Sequence, residues 1–217
     1  MGLLSSALSF VGSVCSAVVG GVAAVVGGGV TALAGAVGVA LKVTGLLDTV
    51  VKIVDVIGRA LGIWGEKETT EEMGDRALQA QEAGIRPENF ETYDQYLKEI
   101  RGIELDPEKS KKHTTAEKIM AGMGVCYWGL DDKYGKGSGD LITHIVKDHE
   151  YFNEKRLGAY LDGVRSVADV ARYFSGKLNP DDTNRVCDDL MGVEKQLNPE
   201  KSDADIYRDL NARKSNS

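Results

Sequence analysis

Along the first forty residues the hydrophobic pattern is unbroken: from Gly2 to Leu41 no side chain carries a charge. That run is about twice the ~20 residues a helix needs to cross the hydrocarbon of a bilayer. Gly27, Gly28 and Gly29 interrupt it near the middle, and each glycine disfavours helix by about 1 kcal/mol relative to alanine. The pattern predicts a hydrophobic helical hairpin with its hinge at Gly27, Gly28 and Gly29. Residues 3–26 would rise ~36 Å as a helix, and residues 30–47 ~27 Å with Lys42 snorkelling to the interface.

The spacing of small residues sharpens this expectation. Gly12, Ser16, Gly20, Ala24, Gly28, Ala32, Ala36 and Ala40 fall at eight successive i+4 positions, which is a glycine zipper. Positions four apart share a helix face, so the ladder forms a smooth groove in which a second helix can approach closely, as lipid-embedded helices do. A shorter ladder of Ser5, Ser9, Ser13, Ala17 and Gly21 runs beside it. In an assembled pore Ser5, Ser9 and Ser13 are the candidate pore-lining residues. A flexible Gly/Ser linker would be polar between its glycines, whereas Val, Leu and Ala stand there. A buried helix of a soluble domain is the remaining alternative, although it would normally fill volume with Leu, Ile and Phe.

Residues 43–64 change pattern. Asp48, Lys52, Asp55 and Arg59 recur at helical spacing on one face, and Leu46, Leu47, Val50, Val51, Val54, Ile57 and Leu61 occupy the other. This predicts an amphipathic helix with Asp48/Lys52 and Asp55/Arg59 as i,i+4 ion pairs. Its apolar face can lie on a membrane or pack on the rest of the chain; the moment does not choose between them. Trp64 suits either as an anchor.

After Gly65 the pattern is that of short helices in a polar chain. The predicted helices are 70–83, 87–101, 118–128, about 139–150, 153–176, 181–197 and 203–213. Gly84, Gly102, Asn179-Pro180 and Asn198-Pro199 punctuate them, Thr114-x-x-Glu117 is a capping box, and Gly129 to Gly139 is the longest expected loop. No stretch reads as a strand. The expected architecture is all-α: a glycine-zipper hairpin and amphipathic helix in a membrane-inserting segment, 1–65, followed by a soluble acidic helical domain, 66–217.

Charge divides the same way. Residues 1–65 carry a net +1 and residues 66–217 a net −8. An acidic domain without a basic stripe repels phosphate, which argues against nucleic acid as a partner. Cys15, Cys126 and Cys187 are widely spaced and include no CxxC, as expected for a reducing compartment of synthesis. No Lys or Arg precedes Lys42, so a cleavable signal peptide is not expected and synthesis is assigned to the cytoplasm. The start Met-Gly-Leu-Leu-Ser-Ser fits the loose myristoylation pattern at Gly2 and Ser6.

Catalytic signals are weak. His144 and His149 are five apart, off the spacing that puts two metal ligands on one helix face. Asp148 beside His149 reads first as a solvated pair and only second as a hydrolytic dyad, and Cys126 in an apolar stretch reads as core. No GxSxG, HExxH or phosphate loop occurs. The expectation is a protein that is not an enzyme, with no cofactor and no metal.

A glycine zipper at residues 12–40, no signal peptide and a small acidic helical C-terminal part together resemble the pore-forming antibacterial effectors of type VI secretion systems, in particular the Hcp-dependent glycine-zipper kind found in Pseudomonas. The resemblance implies an Hcp-like secretion carrier, export without a signal peptide and insertion into the inner membrane of a target cell. It further implies homo-oligomeric ion-conducting pores that dissipate the proton-motive force, and a membrane-borne immunity protein in the producer. A zipper of Gly, Ala and Val is only marginally hydrophobic, which suits a segment carried shielded before insertion. Glycine zippers also occur in phage ejection proteins, holins and envelope proteins, so a non-conducting membrane scaffold is the alternative; a membrane-tethered hydrolase using Asp148 and His149 is a third.

Overall fold

The structure, a computed structural model, describes residues 47–214. Among them ten α-helices follow one another with no strand: α1 (Leu47–Ala60), α2 (Thr70–Glu82), α3 (Tyr93–Gly102), α4 (Pro107–Ser110), α5 (Thr115–Tyr134), α6 (Asp140–Lys147), α7 (Glu154–Gly163), α8 (Val167–Phe174), α9 (Pro180–Leu197) and α10 (Asp203–Arg213). The chain is all-α over this range. The hairpin expected in residues 3–47 lies outside the described residues except for Leu47.

Local chemistry accounts for the helix starts. Eight of the ten helices open on a Ser, Thr, Asn or Asp whose side chain accepts from a backbone N–H of the first turn: Thr69, Thr92, Asp106, Thr114, Asn153, Ser166, Asn179 and Ser202. Thr114 and Glu117 form the expected capping box.

Three expectations need correction. The helix foreseen over 153–176 is two, α7 and α8, because Val164 is extended and Ser166 caps a new start by accepting from the Asp169 N–H. The helix foreseen from Pro87 is a 3-10 turn, Pro87–Asn89, and the α-helix begins only after Thr92. The loop expected from Gly129 is shorter, since α5 runs through Gly129 to Tyr134. A Cβ there would stand 2.8 Å from the Tyr93 ring and 2.9 Å from an Ile63 methyl, so this glycine makes room inside a helix. The break comes at Gly135, with φ +93°, a conformation that favours glycine.

The core is one cluster running from Ile53 to Leu210. At its centre α2 and α5 lie backbone to backbone. A Cβ on Gly74 would fall 1.7 Å from the Lys118 carbonyl oxygen, and one on Gly122 1.9 Å from that of Thr70. Beside this pair a buried polar knot fixes α4: Asp75 accepts from Ser110 Oγ at 2.7 Å and pairs with Lys118 Nζ at 3.0 Å, while Gln79 bonds both Asp75 and the Asp106 backbone. α1 packs on α2, α5, α6 and α7 and buries Ile53, Val54 and Ile57; Leu61, Ile63 and Trp64, in the turn that follows, are buried with them. Of the two surfaces open to the amphipathic helix, it therefore takes the rest of the chain in this structure. These apolar residues, assigned by sequence to the membrane-inserting segment, belong to the same core as the helices after Gly65.

Candidate functional site

The residues singled out as functional in the sequence separate into two groups. Gly12, Ser16, Gly20, Ala24, Gly28, Ala32, Ala36 and Ala40, the candidate pore-lining Ser5, Ser9 and Ser13, and the hinge at Gly27, Gly28 and Gly29 lie outside the described residues. Cys126, His144, Asp148 and His149 are described, and the structure gives the first three structural surroundings. Cys126 is fully buried, and burial pushes its thiol up to about 12, which leaves no thiolate at neutral pH. His144 is buried, with Nε2 3.2 Å from the Ala171 carbonyl and 3.0 Å from Ser175 Oγ, and packs on Phe152 and Phe174. Asp148 accepts from the Tyr151 N–H at 3.2 Å and from Arg213 Nε at 2.9 Å. Among the described residues no three of His, Cys, Asp or Glu are grouped to hold a metal ion.

The feature of the described residues that bears most directly on the N-terminal segment is the junction of that segment with the body, α1 and the strap of residues 61–68 that leads to Thr69, the cap of α2. Asp55 is buried rather than on the polar face foreseen for it, and its Oδ1 accepts from both the N–H and the hydroxyl of Thr70 at 2.6 Å. A carboxylate at the first turn of α2 takes up an otherwise unpaired N–H and opposes the helix dipole. The i,i+4 pair foreseen between Asp55 and Arg59 is thereby replaced, and Arg59 Nη1 instead donates to the Glu68 carbonyl at 3.0 Å.

Two more cations hold the strap by its backbone. Arg101 of α3 donates to the Ile63 carbonyl at 3.3 Å and grips the Glu68 carboxylate with Nε and Nη2, both at 2.7 Å. Lys133 of α5 donates to the Leu61 carbonyl. Glu68 in turn accepts from the Gly65 N–H at 2.6 Å. Burial pushes the Glu68 carboxyl up, but the bonds from Arg101 and the Gly65 N–H outweigh it and hold the group below its usual range. That same bond to Glu68 raises Arg101. Beneath the latch lies a hollow of about 340 Å³ lined by Gly62, Ile63, Tyr93, Leu97 and Gly129 among others, with Asp94 and Asp132 also on its wall. The Tyr93 hydroxyl is buried there without a hydrogen-bond partner, as is the indole N–H of Trp64, whose ring covers Gly58. Burial drives the Tyr93 phenol above its ordinary range, so it stays protonated.

A second polar cluster ties α7 to α9. The buried Glu194 carboxylate accepts from Tyr160 at 2.6 Å, Tyr151 at 3.2 Å, Arg156 Nε at 2.6 Å and Asn198 at 3.0 Å. The Tyr151 ring is sandwiched between the guanidinium groups of Arg156 and Arg213, 4.0 and 3.7 Å from its centroid. Burial raises both phenols, and each also feels the Glu194 charge. Protein donors surround this carboxylate, so the cluster serves as a clamp for the last two helices. Sequence reasoning missed both it and the latch of Arg101 and Lys133 on the strap, because the bonds that define them join residues 33 to 72 apart. Only the i,i+3 and i,i+4 pairs were open to reading.

No family model, curated protein or solved structure matches the chain.

Proposed function

We propose that the protein is an antibacterial toxin that inserts in the inner membrane of a target cell and forms ion-conducting pores. The observation that carries this reading is the uncharged run Gly2 to Leu41 with small residues at eight successive i+4 steps, a pattern suited to close helix association in lipid. No described helix is long and apolar enough to cross a membrane, and within the membrane-inserting segment 1–65 the crossing is assigned to the uncharged run Gly2 to Leu41. The described helices form the body that carries this segment. An Hcp-like carrier would shield the segment in transit, and a membrane-borne immunity protein would protect the producer; both follow the resemblance to type VI effectors. The protein needs no cofactor and no catalytic centre for this activity.

Planar-bilayer recording on the purified full chain tests the reading, with Gly20→Ile and Gly28→Ile beside it. Each substitution puts a branched side chain into the groove and parts the helices, yet makes the segment more apolar by roughly half a kcal/mol or more on the insertion scale. The variants should still sediment with liposomes while losing conductance, and Gly2→Ile, outside both ladders, should keep it. Membrane binding without conductance in the wild type would favour a non-conducting scaffold instead.

A further inference from the structure

We infer that α1 and the strap of residues 61–68 form one releasable unit, latched to the body by Arg101 and Lys133, which swings off to lay its apolar face on a lipid surface. This deepens the pore reading and rests on it for the identity of the surface. Three observations meet at one seam. The strap backbone is held by polar bonds, from Arg101 to the Ile63 carbonyl and the Glu68 carboxylate and from Lys133 to the Leu61 carbonyl, and release also breaks the two bonds from Thr70 to Asp55 and uncovers the buried Leu61, Ile63 and Trp64. Such bonds exchange readily for water or lipid headgroups when the strap lifts. Two donors, Tyr93 Oη and Trp64 Nε1, are sealed in without partners, so closure loses hydrogen bonds that opening restores. The packing under the strap is incomplete, as the hollow of about 340 Å³ walled by Gly62, Ile63, Tyr93 and Gly129 shows. A hollow of that size admits water, so the strap borders solvent on this side rather than packed core.

The unit itself is coherent. The Ile63 and Trp64 N–H groups both donate to the Gly58 carbonyl at 2.8 Å, and the Trp64 ring lies so close over Gly58 that a Cβ there would be 2.0 Å from it. The strap is thus folded onto the last turn of α1 and moves with it. When the unit leaves the body it presents Ile53, Val54, Ile57, Leu61, Ile63 and Trp64, an amphipathic surface with a tryptophan at its end, of the kind that settles at a bilayer interface. It follows the Gly2–Leu41 run in sequence, so insertion of that run brings it to the membrane.

Hydrogen exchange on the full chain in solution tests the latch. The double variant Arg101→Gln, Lys133→Gln should raise exchange across residues 53–68 by tenfold or more while α9 keeps its wild-type protection. Tyr93→Phe, which removes a partnerless hydroxyl, should slow exchange in the same stretch. Residues 53–68 exchanging together with α9 in the double variant, or faster exchange in Tyr93→Phe, overturns the releasable unit. The lipid surface is tested separately in a Trp128→Phe background, where Trp64 is the sole tryptophan. On vesicles of phosphatidylethanolamine and phosphatidylglycerol carrying brominated chains, the bound protein should show Trp64 emission quenched at least twofold. Bound protein with unquenched Trp64 overturns lipid as the occupant. Failure to conduct, with the exchange result intact, would sink the pore reading and leave the latch standing.

Discussion

At the scale of single residues, the contacts with least room to give are the two glycines between α2 and α5. Carbonyl oxygens stand where the Cβ atoms would be, and a backbone, unlike a side chain, cannot rotate away. Gly122→Val should therefore cost about 3 kcal/mol or more, near the upper end for overpacking, read as a lower urea midpoint. Gly158, with open space around its Cβ position, is the control, and Gly158→Ala should be neutral or stabilising. Charge gives a second residue-scale prediction. Burial pushes the Asp75 carboxyl up, yet Ser110, Lys118 and Gln79 bring it below its usual range, and Glu68 is lowered likewise. A carboxyl with a depressed folded pKa binds its proton less readily when folded. Its stabilisation is complete above the unfolded values of about 4 and is lost as pH falls through the folded ones. Thermal unfolding followed between pH 7 and pH 2 should show stability dropping below pH ~4, and Asp75→Asn should flatten that drop while lowering stability at neutral pH. An Asp75→Asn profile parallel to wild type would assign the acid sensitivity elsewhere.

At the scale of elements, the helix starts were the most legible feature, because a cap is written within four residues: Thr114 with Glu117 and Asn179 with Pro180 mark their helices in sequence and in space. The capping bond of Ser166 to the Asp169 N–H is equally local, but no proline marks it as Pro180 marks the next start, and the sequence reading runs 153–176 as one helix. Ser166→Ala should remove about 1 kcal/mol and should fray α8 alone, visible as faster amide exchange over residues 167–170. What could not be read was which way a half-polar helix turns. Asp55 sits in the polar register of α1, and only the arrival of Thr70 fifteen residues later brings it inside. The candidate site followed the same rule. The zipper is a repeat and could be read from spacing, whereas the latch joins residues 38 and 72 apart and has no sequence signature.

At the scale of the whole molecule, the described core starts inside the segment that composition assigns to the membrane, since Ile53, Val54, Ile57, Leu61, Ile63 and Trp64 all lie in it. A fragment of residues 47–217 should therefore unfold cooperatively, whereas one of residues 66–217, stripped of those six side chains, should melt at least 10 °C lower or bind a hydrophobic dye. Equal melting temperatures would show that α1 adds nothing to the body. The latch also makes the body mechanically anisotropic. A pull on the N-terminus, such as an inserted segment would exert, loads α1 first and then the bonds to Leu61, Ile63 and Glu68 one after another, like a zip. A pull on the C-terminus meets the Glu194 clamp, where Tyr151, Tyr160 and Arg156 share the load on a single carboxylate. A pull on the N-terminus should yield at lower force than a pull on the C-terminus.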